Sequence, residues 1–378
     1  MHNRFRALTV VSALVVSFVA GGSAFGQAKK GAPPKVDKVY QAEIAAATKI
    51  VDDALKGQAA PSDYKFSFTN HSMKSRDAKT YVPFLLTFEK GQALPVPAAY
   101  YVRVVSKENL EKAQKAIADH EAAVQKAAMA AKLDPENTEL AEAEDKLRGE
   151  APKVEYAFED FKTINFANQK PDTLFLFPSA MGVAPGEYDA YILIKESQAS
   201  LKNKKLPAKA GLLKVALKVP DYTKPDFGTS SIIVTRMVQP LKAAPTEADL
   251  ARNPYIFGAN AVMPSLDFKF SKNDELTILF YIYNAGLDQA GKPNVTVDYN
   301  FYQKTGETEK FFNKTPTLEL NAKTLPPAFD VKAGHQLNGG QGLPLASFEA
   351  GEYRAEIKIV DKVTGKTKIE NVRFTVTP

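Results

Sequence analysis

The sequence predicts a mainly-β protein made of two tandem β-sandwich domains, with an N-terminal helix and a helical hairpin inserted in the first domain. Three observations lead there. A strand motif recurs at Gly186–Ile194 (GEYDAYILI) and Gly351–Ile359 (GEYRAEIKI), identical at six of nine positions. Both copies alternate with period two, so Tyr188, Ala190, Ile192 and Ile194 share one face, as do Tyr353, Ala355, Ile357 and Ile359; a strand with one buried face requires this. The other apolar runs are also short and alternating, and are punctuated by Gly and Pro, which argues stacked antiparallel sheets over an α/β sheet.

Residues 1–26 read as a secretory signal peptide. Arg4 and Arg6 form a positive head. Ala7 to Ala20 is apolar apart from Thr9, Ser12 and Ser17, and small residues lead to cleavage options at Gly26 or Ala28. A membrane anchor needs ~20 apolar residues, and this run is shorter and ends in glycines. The mature chain is expected to begin near Gln27 or Lys29, to be periplasmic or extracellular, and to have no transmembrane span after cleavage.

Residues 27–60 comprise a flexible linker and an amphipathic helix. Over 36–56, Val36, Val39, Tyr40, Ile44, Ala47, Ile50, Val51, Ala54 and Leu55 recur at helical spacing, and Gly57 is a stop. The stripe either packs on the protein's own sheet or docks a partner. Residues 61–238 form the first sandwich, with Phe84, Leu86 and Phe88 on one strand and Tyr100, Val102 and Val104 on the next. Val215, Leu217 and Val219 close it. Residues 107–149 interrupt it as a helical hairpin. Leu110, Ile117, Val124 and Ala131 recur every seven residues, Ala113, His120 and Ala127 follow three later, and Leu140, Ala143 and Leu147 lie beyond Asp134-Pro135. Its Ala-rich seam pairs the two helices with each other or with a partner helix.

Residues 239–253, polar and bearing Pro240 and Pro245, read as a linker or short helix. Residues 254–378 form the second sandwich, where Leu276-Ile278-Phe280, Val295-Val297-Tyr299 and Val372-Phe374-Val376 repeat the first.

The motif's opening residues have a structural reading. Gly186 and Gly351 can take φ > 0 at the bend entering the strand. Tyr188 and Tyr353 can bury their rings while their hydroxyls bond back to the turn, as in the tyrosine corner of immunoglobulin-like sandwiches. With Pro185-Gly186-Glu187-Tyr188 and Ala350-Gly351-Glu352-Tyr353, the chain resembles bacterial extracellular Ig-like modules. Its ending, Leu343-Pro344-Leu345 through Asp361-Lys362-Val363-Thr364-Gly365, is similar to exported acidobacterial-type proteins with tandem modules of that kind. The resemblance implies the Ig-like fold and brings no functional residues.

The chain has no Cys, which removes disulfides, thiol nucleophiles and Cys-based zinc sites. The formal charge of +6 over 378 residues is a mild excess that, with export, points away from nucleic acid. No HExxH and no close histidine pair suggests zinc. Gly228-Thr229-Ser230-Ser231-Ile232 lacks the closing glycine of a nucleophile elbow, and the Gly334–Gly342 loop lacks the Lys-Ser/Thr of a phosphate loop. His71, beside Asn70 and Ser72, reads as a solvated turn residue. Tyr81, Tyr100, Tyr101, Tyr281 and Tyr283 alternate with aliphatics and read mostly as core rings. No enzyme activity, cofactor or metal site is expected.

One feature points toward binding. Lysines follow each Gly-Glu-Tyr strand: Lys195, Lys202, Lys204, Lys205 and Lys209 in the first copy, and Lys358, Lys362, Lys366 and Lys368 in the second. They either hold an anionic partner or keep exposed hairpins soluble. The expected function is a non-catalytic interaction or scaffolding protein of the cell envelope. Its partner would be another envelope protein or an anionic cell-wall polymer. The alternative is a small-molecule or glycan-binding module serving an envelope enzyme.

Overall fold

Alternating apolar runs form strands throughout, and the chain is mainly β, with several sheets. The structure is a computed structural model that describes residues 38–75, 77–92, 97–150, 152–166, 174–203 and 205–378. Residues 1–37, where the sequence reading expects a signal peptide and a mature N-terminus, and Lys204 lie outside the described residues. Two units result, one reaching Thr223 and one running from Lys224 to Pro378.

The N-terminal unit contains α1 (Lys38–Leu55), β1 (Phe66–Asn70), β2 (Met73–Lys74), β3 (Thr80–Phe88) and β4 (Ala98–Ser106). It continues with α2 (Leu110–Leu133), α3 (Thr138–Gly149), β5 (Phe158–Ile164), β6 (Phe175–Val183), β7 (Gly186–Glu196) and β8 (Ala210–Val219). One sheet has the order β5-β4-β7-β8; in the other, β3 pairs with β1, β2 and β6. The two sheets share a core in which Phe84, Leu86 and Phe88 meet Tyr100, Val102, Val104, Ala190, Ile192 and Ile194. The expected inward faces are therefore the buried ones.

The C-terminal unit starts with β9 (Gly228–Thr229), β10 (Ile233–Pro240), α4 (Glu247–Arg252), β11 (Ile256–Phe257) and β12 (Asn260–Pro264). It runs on through β13 (Lys269–Ser271), β14 (Glu275–Leu279), β15 (Tyr281–Tyr283), β16 (Val295–Thr305) and β17 (Thr308–Lys314). β18 (Leu318–Leu320), β19 (Leu337–Asn338), β20 (Gln341–Pro344), β21 (Gly351–Asp361) and β22 (Thr367–Thr377) complete it. The sheets are β13-β22-β21-β16-β17 with β18 on β16, β11-β12-β10-β14-β20, and β19-β15-β9. Leu276, Ile278, Val295, Val297, Tyr299, Ile357 and Phe374 meet in its core.

The division between the units differs from the sequence reading, which placed 224–238 in the first domain and a linker at 239–253. Ile233 and Val234 are buried, and β10 pairs with β12 and β14 of the C-terminal unit. Within 239–253 the short-helix alternative holds: α4 opens with a capping box between Thr246 and Asp249, which satisfies its first free amides. The alternation that closes the first unit ends with Val219, and the next run belongs to the second.

The repeated motif marks equivalent places. β7 lies between β4 and β8, and β21 between β16 and β22, all antiparallel. Tyr188 stands opposite Leu217, and Tyr353 opposite Phe374. What differs is the outward face. In the N-terminal unit it carries Tyr101, Val105, Tyr191 and Leu193, which pack under Ala47, Val51 and Leu55 of α1 and Ala113 and Ile117 of α2. Burying each valine, leucine or isoleucine among them contributes about 1.5–3 kcal/mol, so the helices are a third layer of this unit. The first reading of the α1 stripe, packing on its own sheet, therefore holds. In the C-terminal unit the outward positions are Asn300, Tyr302, Lys304, Glu352, Arg354, Glu356, Asn371 and Arg373, which need no cover.

Candidate functional site

Tyr188 and Tyr353 are buried, and their hydroxyls donate to the carbonyls of Ala184 and Glu349, each 2.9 Å away and four residues back. Gly186 and Gly351 have φ of 157° and 158°. A Cβ on Gly186 would sit 3.0–3.1 Å from the Tyr188 ring, so glycine makes room for the corner. These four residues are architectural.

The lysines divide. Lys202, Lys205 and Lys209 are exposed in the connection between β7 and β8. That connection is tied internally, with Gln198 Nε2 donating to the Leu206 carbonyl (3.0 Å) and the Lys209 amide to Glu196 Oε2 (2.8 Å). Gly211, at its exit, lets the backbone of Tyr64 approach closer than any Cβ would allow. Lys362 and Lys366 are exposed on the β21–β22 turn. That turn is organised by Asp361, whose carboxylate accepts from the amides of Gly286 (2.8 Å) and Val363 (3.0 Å) and from Thr364 Oγ1 (2.5 Å). Burial alone would raise the Asp361 pKa, yet these hydrogen bonds hold it below the ordinary range. Lys368 sits on β22 and pairs with Glu370 at 3.2 Å. Lys358 is exposed on β21. Lys195 is a correction: it is a buried residue of β7, not a loop residue, and its Nζ lies 2.9 Å from Glu43 Oε2 of α1.

That contact belongs to a pair of clamps beneath α1. Glu43 also accepts from Ser197 Oγ (2.9 Å) and the Ala199 amide (3.3 Å). Burial raises its pKa, but these hydrogen bonds and the Lys195 charge win and hold it below the ordinary carboxylate range. In the second clamp Arg103, 1% exposed, pairs with Asp52 of α1 and with Glu159 of β5 at 2.8 Å. Its guanidinium stacks 4.0 Å from the Tyr156 ring centroid. Burial opposes the charge on Arg103, and the phenols and acids around it hold it protonated. Burial likewise pushes the Tyr156 phenol up to about 12. Every charge here has a partner from its own unit, so the cluster fastens α1. His71 is a further correction, since it is buried and not solvated.

Two places present surface. Within α2 and α3, Ala113 and Ile117 are the fully buried residues, both in the first two and a half turns of α2. The helix runs for 24 residues, about 36 Å at 1.5 Å per residue. Its seam of His120, Val124, Ala127 and Ala131 is half-buried, as are Leu140 and Leu147 of α3, while Met129 and Leu133 are 67% and 87% exposed. The hairpin is rooted at its base and exposes apolar side chains toward its tip.

The second place is in the C-terminal unit, at the end of β13 and β22. Phe268 has φ 51°, a left-handed backbone that costs a bulky residue about 1–2 kcal/mol. It is held there because Asp267 Oδ1 accepts from the Lys269 amide (3.1 Å) and Arg236 Nη2 (3.1 Å), and the Phe268 carbonyl accepts from the Thr375 amide (2.8 Å). The result is a cleft of about 190 Å³ lined by Phe268, Lys304, Glu352, Tyr353 and Arg373. Nothing in the sequence around Phe268 marks its left-handed conformation. Among the described residues no His, Asp and Glu group is arranged to hold a metal ion, and no helix is long and apolar enough to cross a membrane.

No family model and no curated protein matches this chain. Among solved structures it is similar to the alpha-2-macroglobulin of Salmonella reacted with methylamine, at 10% identity and a TM-score of 0.19. The match covers 84% of this chain and 17% of that one. A likeness at this level bears on neither fold nor function.

Proposed function

We propose that the chain is an exported, non-catalytic interaction or scaffolding protein of the cell envelope, related to bacterial proteins with tandem Ig-like modules. On this reading both units are Ig-like sandwiches, and α2 and α3 are an insertion in the first. The equivalent strand triplets and tyrosine corners support the sandwich reading, and the signal-like first 26 residues support export. The observation that carries the function is the helical hairpin. A sandwich does not need an arm of this length, and Met129 and Leu133 give its tip the apolar character of a contact surface.

The absence of cysteine allows a direct test. Single cysteines replacing Met129 or Leu133, each bearing a photocrosslinker, are introduced into the full chain in its native envelope. Defined adducts are expected from both positions, and none from a control cysteine replacing Lys310 on β17. Equal adducts from the control, or none from the arm, would overturn the reading.

A further inference from the structure

The Phe268 cleft shares Lys304, Glu352 and Arg373 with a patterned sheet face. Phe311, Tyr302, Arg354 and Arg373 stand directly opposite one another across β17, β16, β21 and β22. Three inter-strand spacings make this row about 14 Å long. Phe311 is 57% exposed and packs edge-on against Tyr302, while Arg354 stacks 4.4 Å from the Tyr302 ring centroid. Arg373 belongs both to this row and to the cleft.

Three cations and three carboxylates on this face are joined by ion pairs. Lys304 holds Glu352 (2.7 Å), Arg354 holds Glu309 (2.6 Å) and Glu356 (3.3 Å), and Arg373 holds Glu309 (2.8 Å). Three cations thus meet three carboxylates. An anionic ligand would have to displace carboxylates already bound there. A ligand rich in hydroxyls would not, because each hydroxyl both donates and accepts and can bridge a cation and its carboxylate. The pairing also fixes these long side chains in advance, which lowers the entropy lost on binding. The ring of Phe268, 39% exposed, adds an apolar surface to the lining of the cleft. A strained aromatic residue lining a cleft of about 190 Å³ is the kind of outlier from which a binding role is inferred.

We propose that the Phe268 cleft is a subsite for one ring of a neutral glycan, whose chain continues along the Phe311–Tyr302–Arg354–Arg373 row. This inference is independent of the helical-arm reading, since it concerns residues of the other unit.

The test is affinity electrophoresis of the full mature chain in native gels. The gels are cast with soluble neutral polysaccharides (a β-glucan, a mannan and a galactan) or with polygalacturonate as the anionic control. At least one neutral polysaccharide should retard the parent. Phe268→Gly relieves the left-handed strain, which offsets the lost ring burial and the added freedom of the unfolded chain, so it should melt close to the parent and bind at least tenfold more weakly. Arg373→Ala, at a side chain 70% exposed, should weaken the same retardation. Three results would overturn the proposal: no retardation by any neutral polysaccharide, retardation by polygalacturonate alone, or unchanged binding by Phe268→Gly.

Discussion

Lys195 Nζ lies 2.9 Å from Glu43 Oε2, both side chains buried, joining the end of β7 to the first half of α1. The cost of breaking such a pair exceeds its net worth, because one charge is left without a partner in a dry site. Glu43→Ala should therefore destabilise the protein by about 3–5 kcal/mol. Adding Lys195→Met, which removes the orphaned charge, should recover most of that loss. A double-mutant cycle in urea checks both values.

The same clamp has a pH signature. Glu43 titrates below its unfolded value, so its stabilisation is present above the ordinary glutamate range and is lost as pH falls through the lowered folded pKa. Glu43→Gln should remove that acid-side slope while keeping the side chain's shape. Urea midpoints of parent and variant between pH 3 and 6 give the comparison.

His71 acts at milder pH. Burial lowers its imidazole from 6.5 to about 4. A base with a depressed folded pKa contributes fully above pH 6.5 and loses its contribution as pH falls toward 4. The difference corresponds to about 3 kcal/mol. His71→Gln should flatten the stability profile between those limits, most visibly between pH 6.5 and 5, where Glu43 is still ionised.

These residues also mark how far the sequence could be read. Period-two alternation located Tyr188 and Tyr353, and with them the equivalent strand triplets, because a half-buried strand writes its burial into every second residue. β4, and β7 from Ala190 to Lys195, are buried on both faces, which blurs the alternation there: Tyr101, Val105, Tyr191 and Leu193 look like more core and say nothing of which layer covers them. The pairing of α1 with this face was hidden for that reason. A charge in an apolar run was the available signal, in Arg103 within Ala98–Ser106 and in Lys195 after Ile192-Leu193-Ile194. The unit boundary was missed because β10 alternates like a closing strand, and only its partners reveal which sheet it joins. Phe268 was beyond reach, since a left-handed phenylalanine follows from the Asp267 and Thr375 hydrogen bonds around it.

Shortening the arm should separate its root from its tip. Replacing residues 121–146 with a short Gly/Ser linker keeps Ala113 and Ile117 against α1 and Tyr101, and loop-closure cost changes slowly with length. Stability should change by only about 1 kcal/mol. Replacing all of 107–149 also uncovers the third layer, and should cost several times more. Thermal melts of the two deletions distinguish them, and equal losses would mean that the tip is structural.

The side chains of the exposed lysines in the β7–β8 connection are free of any structural task in that hairpin's backbone. Lys202 and Lys205 project from a connection whose backbone is already held by Gln198 and Glu196, so neither charge is needed to close the hairpin. Reversing Lys202, Lys204 and Lys205 to Glu changes the local charge by six units and removes no buried contact of the described residues. Surface changes of this kind normally stay within about 0.5 kcal/mol, so the melting temperature should hold. If these lysines face an anionic polymer, binding of the parent to isolated envelope fractions should weaken as salt rises from 50 to 500 mM, because screening shortens to about 4 Å over that range. The reversed variant should then bind at least tenfold more weakly at the low salt concentration and converge with the parent at the high one. Binding by the parent that ignores salt, or equal binding by both proteins, would reduce the lysines to the role they already serve on an exposed hairpin, where charge keeps the adjoining β8 edge from pairing with another chain.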